Sequence, residues 1–199
     1  MIVPMSLVDY QKNTDEELAS IVPTDHRAFV PLVRRYESKL LAYIRRISGF
    51  QKEDAEDILQ DAFVDAYRHI AGFDPHLKFS SWIYRIVHNR TISAYRKHKS
   101  SFNNVSIDDE DMGFERLLAA KEESQNLVES SLNSKVIKQI LDKLPPRDKE
   151  VLVLAYIEEK SYEEMSDILQ APIGTVGTWI RRARQKFAKL GDEYPNLIR

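Results

Sequence analysis

DAEDILQDAFVDAYRHI (residues 54–70), followed after a short loop by FSSWIYRIVHNRTISAYRKHK (residues 79–99), decides the reading of this chain. Ala55, Leu59, Ala62, Ala66 and Ile70 recur at helical spacing, so the first segment is an amphipathic helix running from about Lys52 to Ile70. Its other side is acidic: Glu53, Asp54, Glu56, Asp57, Asp61 and Asp65 occur with no base among them. The second segment, helical from about Ser80, carries Arg85, Arg90, Arg96, Lys97 and Lys99 and no acid. One surface repels nucleic acid while its neighbour attracts it. That pattern describes a nucleic-acid-binding protein that needs a basic protein partner.

Working outward, Thr14 with Glu17 reads as a capping box opening a short helix. Phe29, Val33, Tyr36, Leu40, Tyr43 and Ile47 then mark a long one. Pro31 lies inside that pattern, so either the helix starts near it or its first turns are bent. Gly72, Asp74 and Pro75 form the loop between the acidic and basic helices. Residues 100 to 130 lose periodicity and turn acidic, which suits a linker with a short helix near Phe114 to Lys121.

Periodicity resumes near Ser134. Ile137, Ile140, Leu141 and Leu144 line one helix, and Pro145-Pro146 stops it and starts the next, where Val151, Leu152, Leu154 and Ala155 continue the core. Ser161 and Glu164 form a second capping box, Gln170-Ala171-Pro172 is a turn, and a last helix reaches about Leu190. Strand alternation is missing. The expected fold is all-α: two small helical domains joined by an acidic flexible linker. The expected boundaries are 1–23 for a tail and short helix, 24–99 for the first domain, 100–133 for the linker, 134–190 for the second domain and 191–199 for a tail.

Composition excludes several classes. The 199 residues hold no cysteine, so disulfides and thiolate metal sites are ruled out. No apolar run approaches a membrane span and the start has no basic-then-apolar leader, so a cytoplasmic protein is expected. No phosphate-binding glycine loop, zinc ligand set or Ser/His/Asp arrangement is present, and the five histidines are scattered; neither catalysis nor a cofactor is expected.

In the final helix Val176, Ile180, Ala183 and Phe187 fall on a core stripe. Gly177, Thr178, Arg181, Arg182 and Gln185 are left outward, with Arg184, Lys186 and Lys189 placed for phosphates. A short capped helix, a tight turn and a basic second helix make a helix-turn-helix that fits the major groove, as against a merely solvated basic face. Trp179 flanks the core stripe and suits packing better than base contact.

On the acidic helix, Asp54, Asp57, Asp61 and Asp65 share one side, and like charges four residues apart repel. Such a face is either simply solvated or docks on a basic partner. A divalent metal is the weakest option, as no histidine accompanies the carboxylates. Phe79, Trp82, Tyr84 and Tyr95, interleaved with the bases of the next helix, offer planes on which unpaired bases stack; Trp82 lies close to core spacing and is expected buried. Asn89 can both donate and accept, as reading an exposed base edge requires.

These segments, with FDPHLKFSSWIYRIVHNR (73–90), AYRKHK (94–99) and LPPRDKEVLVLAYIEEKSYEEMSDILQAPIGTVGTWIRRAR (144–184), resemble the two domains of extracytoplasmic-function (ECF) sigma factors of the sigma-70 family. The resemblance implies a protein that binds core RNA polymerase and directs it to promoters. It implies that Asp54, Asp57, Gln60, Asp61 and Asp65 dock on the clamp helices of the largest polymerase subunit. Phe73, Lys78, Phe79, Arg85, Asn89, Arg90, Arg96 and Lys97 would capture the melted −10 strand, including a flipped-out base. Thr175, Gly177, Thr178, Arg181, Arg182, Arg184 and Gln185 would read the −35 duplex. An anti-sigma protein that clamps both domains is a further implied partner, and the acidic linker would thread the polymerase's RNA path.

The chain departs from the family pattern at Gly177, where a long basic or polar residue is usual, at Trp179, often Arg, and at Pro31. Glycine inside a helix costs about 1 kcal/mol against alanine and offers no side chain to a base. Thr178 and Arg181 are therefore expected to carry more of the −35 preference. A stand-alone helix-turn-helix regulator is the alternative reading. Such regulators dimerise on palindromic sites, and no heptad seam for pairing is visible.

Overall fold

The computed structural model describes residues 10–102 and 130–193, and all of the regular structure among them is helical. Helix α1 (Asp15–Ile21) is opened by the expected box: Thr14 Oγ1 accepts from the Glu17 N–H at 3.2 Å and Glu17 Oε2 from the Thr14 N–H at 3.0 Å. A 3-10 turn (His26–Ala28) leads into α2 (Phe29–Ser48). Pro31 sits in the first turn of α2, where its missing N–H breaks no helical bond, so the helix starts near the proline. The helix ends at Gly49, whose φ of 72° is the left-handed cap that glycine adopts without penalty.

Helix α3 (Lys52–His69) buries Ala55, Leu59, Ala62 and Ala66, and Ile70 closes a 3-10 turn after it. Helix α4 (Phe79–Phe102) continues past residue 99, so the expected domain edge falls within a helix. Leu32, Leu40, Ile44, Ile83 and Val87 fill the space between α2, α3 and α4. The small alanines of α3 let its backbone come close to the larger side chains opposite.

The second region is α5 (Ser130–Asp142), α6 (Pro146–Leu152), α7 (Tyr162–Leu169) and α8 (Ile173–Gly191). A π-helical turn, Val153–Ile157, prolongs α6, and Glu159 then takes a left-handed φ of 52° that redirects the chain. This widened turn leaves Ala155 only half-buried, where the apolar pattern places it in the core. Ser161 and Glu164 form their box, and Gln170 caps α7 in the left-handed region. Ile140, Leu144, Val151, Leu154, Met165, Ile168, Val176, Ile180 and Ala183 are buried together. The expected short helix near Phe114 to Lys121 and most of the expected linker lie outside the described residues.

The two regions are apposed. Helix α7 lies along α4, and α6 with its π turn meets α2, so the buried apolar residues of both form one continuous core.

Candidate nucleic-acid interface

Asp54, Asp57, Gln60 and Asp61 are exposed along α3, opposite its buried alanines. Asp65 departs from this series. It lies where α3 packs on α4, and its carboxylate is held by the Arg90 guanidinium, which pulls it below the usual carboxylate range. An acid expected at the partner surface and a base expected at the strand-binding surface are thus held by one another. In this conformation the seam between the two charged faces is neutralised.

Phe73 and Phe79 are buried, and so form the underside of the 73–79 loop. Their rings meet edge to face at 5.6 Å, with Trp82 within 5.4 and 5.6 Å of them and Tyr36 at 5.6 Å from Phe79. Tyr84 is buried and Tyr95 packs toward Phe50. The stacking planes expected on α4 therefore face the core, because aromatic rings at these positions bury more area against α2 and α3 than they would in water. What α4 presents outward is polar: Asn89, Arg90, Arg96 and Lys97 are exposed and Arg85 half-exposed.

On α8, Val176, Ile180 and Ala183 are buried and Phe187 half-buried, the stripe expected from spacing. The seven −35 candidates divide into two groups. Gly177, Arg181, Arg184 and Gln185 border a groove of about 700 Å³ whose other walls are Ile137, Leu141, Tyr156 and Tyr162. Thr175, Thr178 and Arg182 lie on the side away from it. A Cβ on Gly177 would meet Tyr162 Cε2 at 3.6 Å, an ordinary contact, so the glycine is not required by crowding. Thr178 Oγ1 donates to the Gly174 carbonyl at 2.9 Å, and Lys186 pairs with Asp148 rather than standing free for phosphate. Trp179 is half-buried with Arg147 4.3 Å over its ring, a packing role as expected.

Sequence reasoning missed the polar seam between the regions. Glu150 is buried, with His88 Nδ1 2.5 Å from its Oε1 and Tyr43 Oη donating to the same oxygen at 3.3 Å. Glu158 takes Arg46 at 2.9 Å and the Tyr84 hydroxyl at 2.5 Å. Glu164 uses one oxygen to accept from the Ser161 N–H at 2.9 Å, while the other lies 3.3 Å from Lys78 Nζ and 3.4 Å from Ser80 Oγ. Burial raises Glu164, but the Ser161 amide, Lys160 and Lys78 outweigh it and hold the carboxyl below the usual glutamate range. Burial and the nearby acids push the Tyr43 and Tyr84 hydroxyls up, so both stay protonated donors. The signal was present: Glu150 stands directly before the apolar run Val151–Leu154, where an uncompensated charge would not survive burial.

The sigma-70 region 2 model matches residues 32–101 and the sigma-70 region 4 model residues 134–187. ECF RNA polymerase sigma factor SigW of Bacillus subtilis is 38% identical over 171 residues, covering 83% of this chain and 89% of SigW. The chain belongs to the ECF sigma factors. Another relative, the ECF RNA polymerase sigma-E factor of Escherichia coli K12, is 33% identical over 180 residues, covering 86% and 91%. CnrH, solved in complex with the cytosolic domain of CnrY, superimposes with a TM-score of 0.67 at 26% identity, covering 92% of this chain and 99% of CnrH. Bartonella quintana RpoE, solved with the anti-sigma factor NepR, shares the fold at TM-score 0.62 and 22% identity, covering 81% and 95%. This ECF sigma factor is a transcription initiation factor that serves RNA polymerase at promoters. Among the described residues no helix is long and apolar enough to cross a membrane, and no cluster of three acids or histidines could hold a metal.

Proposed function

We propose that this sigma factor divides its work among three helices. Asp54, Asp57, Gln60 and Asp61 on α3 dock on the clamp helices of the largest polymerase subunit. Lys78, Arg85, Asn89, Arg96 and Lys97, on the loop and α4, take the opened −10 strand, over a loop shaped by Phe73 and Phe79. Helix α8 reads the −35 duplex through Thr175, Thr178, Arg181, Arg182, Arg184 and Gln185. The observation that carries this reading is the pair of opposed faces on adjacent helices, exposed acids on α3 and exposed bases with Asn89 on α4. Cations on one face track a phosphate backbone, and acids on the other attract a basic protein surface.

The boundaries 24–99 and 134–190 then describe a strand-melting domain and a duplex-reading domain. Melting draws on binding energy for the opened strand, so the chain needs no catalytic residue, and it works in the cytoplasm beside the polymerase. Asp65 and Arg90 join these surfaces only if their mutual pair opens. Lys78 is held by Glu164, so α7 must also leave α4 before the loop can meet a phosphate. Core binding would supply that opening, and an anti-sigma protein would oppose it.

Asn89→Ala tests the strand assignment. In holoenzyme, affinity for a fork template with a single-stranded −10 element is expected to fall about tenfold, with −35 duplex binding unchanged. Equal loss on both templates would overturn it.

A further inference from the structure

Helix α4 starts without a cap of its own. The residue before it is Lys78, whose ammonium cannot accept a hydrogen bond and is unfavourable at the positive end of a helix. The Phe79 N–H at that end instead donates to Glu16 Oε1 at 3.0 Å, across 63 residues of sequence. Glu16 is well placed to do this. It follows Asp15 in the first turn of α1, which the Thr14–Glu17 box fixes at its start and which Leu18 and Ala19 bury. Asp15 ties the same turn to α2, through Arg35 at 2.6 Å and the Tyr36 hydroxyl.

The consequence falls on the loop. Asp74, Pro75, His76, Leu77 and Lys78 are all exposed; within the loop the Asp74 carboxylate accepts from the His76 N–H and its carbonyl from the Leu77 N–H, both within 3.0 Å, while Lys78 is held from outside it, by Glu164 at its ammonium and by the Ser81 and Trp82 N–H groups at its carbonyl. The loop is therefore held at its two ends. Phe73 is tied back to Ile70, and Phe79 is tied to Glu16. Glu16 also precedes residues 32–101, the part that the region 2 model matches.

We propose that Glu16 is a positioning residue for −10 strand capture: through the Phe79 N–H it fixes the downstream end of the 73–79 loop, and with it the place of Lys78. The inference rests on the reading that this loop meets the −10 strand. A fixed loop loses less conformational freedom when the strand binds, so the anchor strengthens capture without touching DNA.

Two near-isosteric substitutions separate reach from charge. Glu16→Asp keeps the negative charge in the first turn of α1 but withdraws the carboxylate by one methylene. Glu16→Gln loses the charge but keeps an acceptor oxygen at full reach. In holoenzyme on the fork template, Glu16→Asp is expected to weaken binding about tenfold and Glu16→Gln no more than about threefold. Hydrogen exchange at the Phe79 amide should accelerate in the Asp variant and stay slow in the Gln variant. Binding to core polymerase and to a −35 duplex should be unchanged in both. The opposite order, Asp tolerated and Gln not, would make Glu16 a charge on α1 rather than an anchor and would overturn the proposal. So would parallel losses on fork, duplex and core. Lys78→Ala on the same fork is the control. If it binds as wild type, the loop reading fails and takes this inference with it; if it weakens binding while Glu16→Asp does not, only the role of Glu16 is lost.

Discussion

Asp54, Asp57 and Asp61 are exposed along α3, whereas Glu150, Glu158 and Glu164 in the second region are each held by a base or hydroxyl of the first. The two sets are the same chemistry in opposite circumstances. Exposed acids that repel one another along a helix cost a few tenths of a kcal/mol per pair, a cost that a basic partner removes. Acids taken out of water must be partnered on the spot. The first set is therefore available to another molecule, and the second binds the chain to itself.

The largest expected effect lies in the exposed set. Asp57→Lys with Asp61→Lys should abolish co-purification with core polymerase, a loss of 100-fold or more on the order of the coupling energies of close interfacial charge pairs. Circular dichroism and the melting temperature should stay unchanged, as neither side chain touches the core. Retained co-purification would mean that these acids are simply solvated and would dissolve the contrast.

Next comes the buried set. Glu150→Ala leaves the buried Tyr43 hydroxyl without its acceptor and His88 without the carboxylate beside it, at an expected cost of about 2–3 kcal/mol in the seam. Small-angle scattering should then show a larger free chain with undiminished helicity. An unchanged radius would show that the apolar contacts alone hold α7 and α6 against the first region.

The smallest effect sharpens the comparison through pH. Glu164 is held below the ordinary glutamate range, so its contribution to the closed form is complete above the unfolded value of about 4.3 and is lost as pH falls through its own lower value. Distance between fluorophores on α2 and α8 should lengthen below about pH 4. Glu164→Gln should blunt that acid limb by less than about 1 kcal/mol, since Lys78 is two-thirds exposed and solvent screens the pair. Identical acid limbs in both proteins would assign the opening to other carboxylates.

Much of the fold could be read from spacing. The stripe Val176, Ile180, Ala183 and the alanine series of α3 come out buried because helical periodicity is a local property that side-chain hydrophobicity reports directly. Both capping boxes are present for the same reason, each closing within four residues. The π turn after Leu152 was not legible: it adds one residue to a helical turn, and an apolar run reads alike with or without it. Of the site candidates, Asp54, Asp57, Gln60, Asp61 and Asn89 are exposed as the pattern implies. Asp65 and Arg90 are not independent, and Phe73 and Phe79 lie beneath the loop, because 25 residues separate the first pair and ring burial depends on what lies opposite.

By itself the sequence determined where the main helices lie, the two capping boxes, the inward stripes and the alternating sign of the charged faces, all of which follow from interactions a few residues apart. Only the tertiary structure decided which acids stay in water, which bind Lys78, Arg46 and His88, and that Glu16 caps a helix 63 residues away. Those choices depend on which backbone ends and side chains packing brings together, and a carboxylate carries no mark in one dimension of the partner it will meet in three.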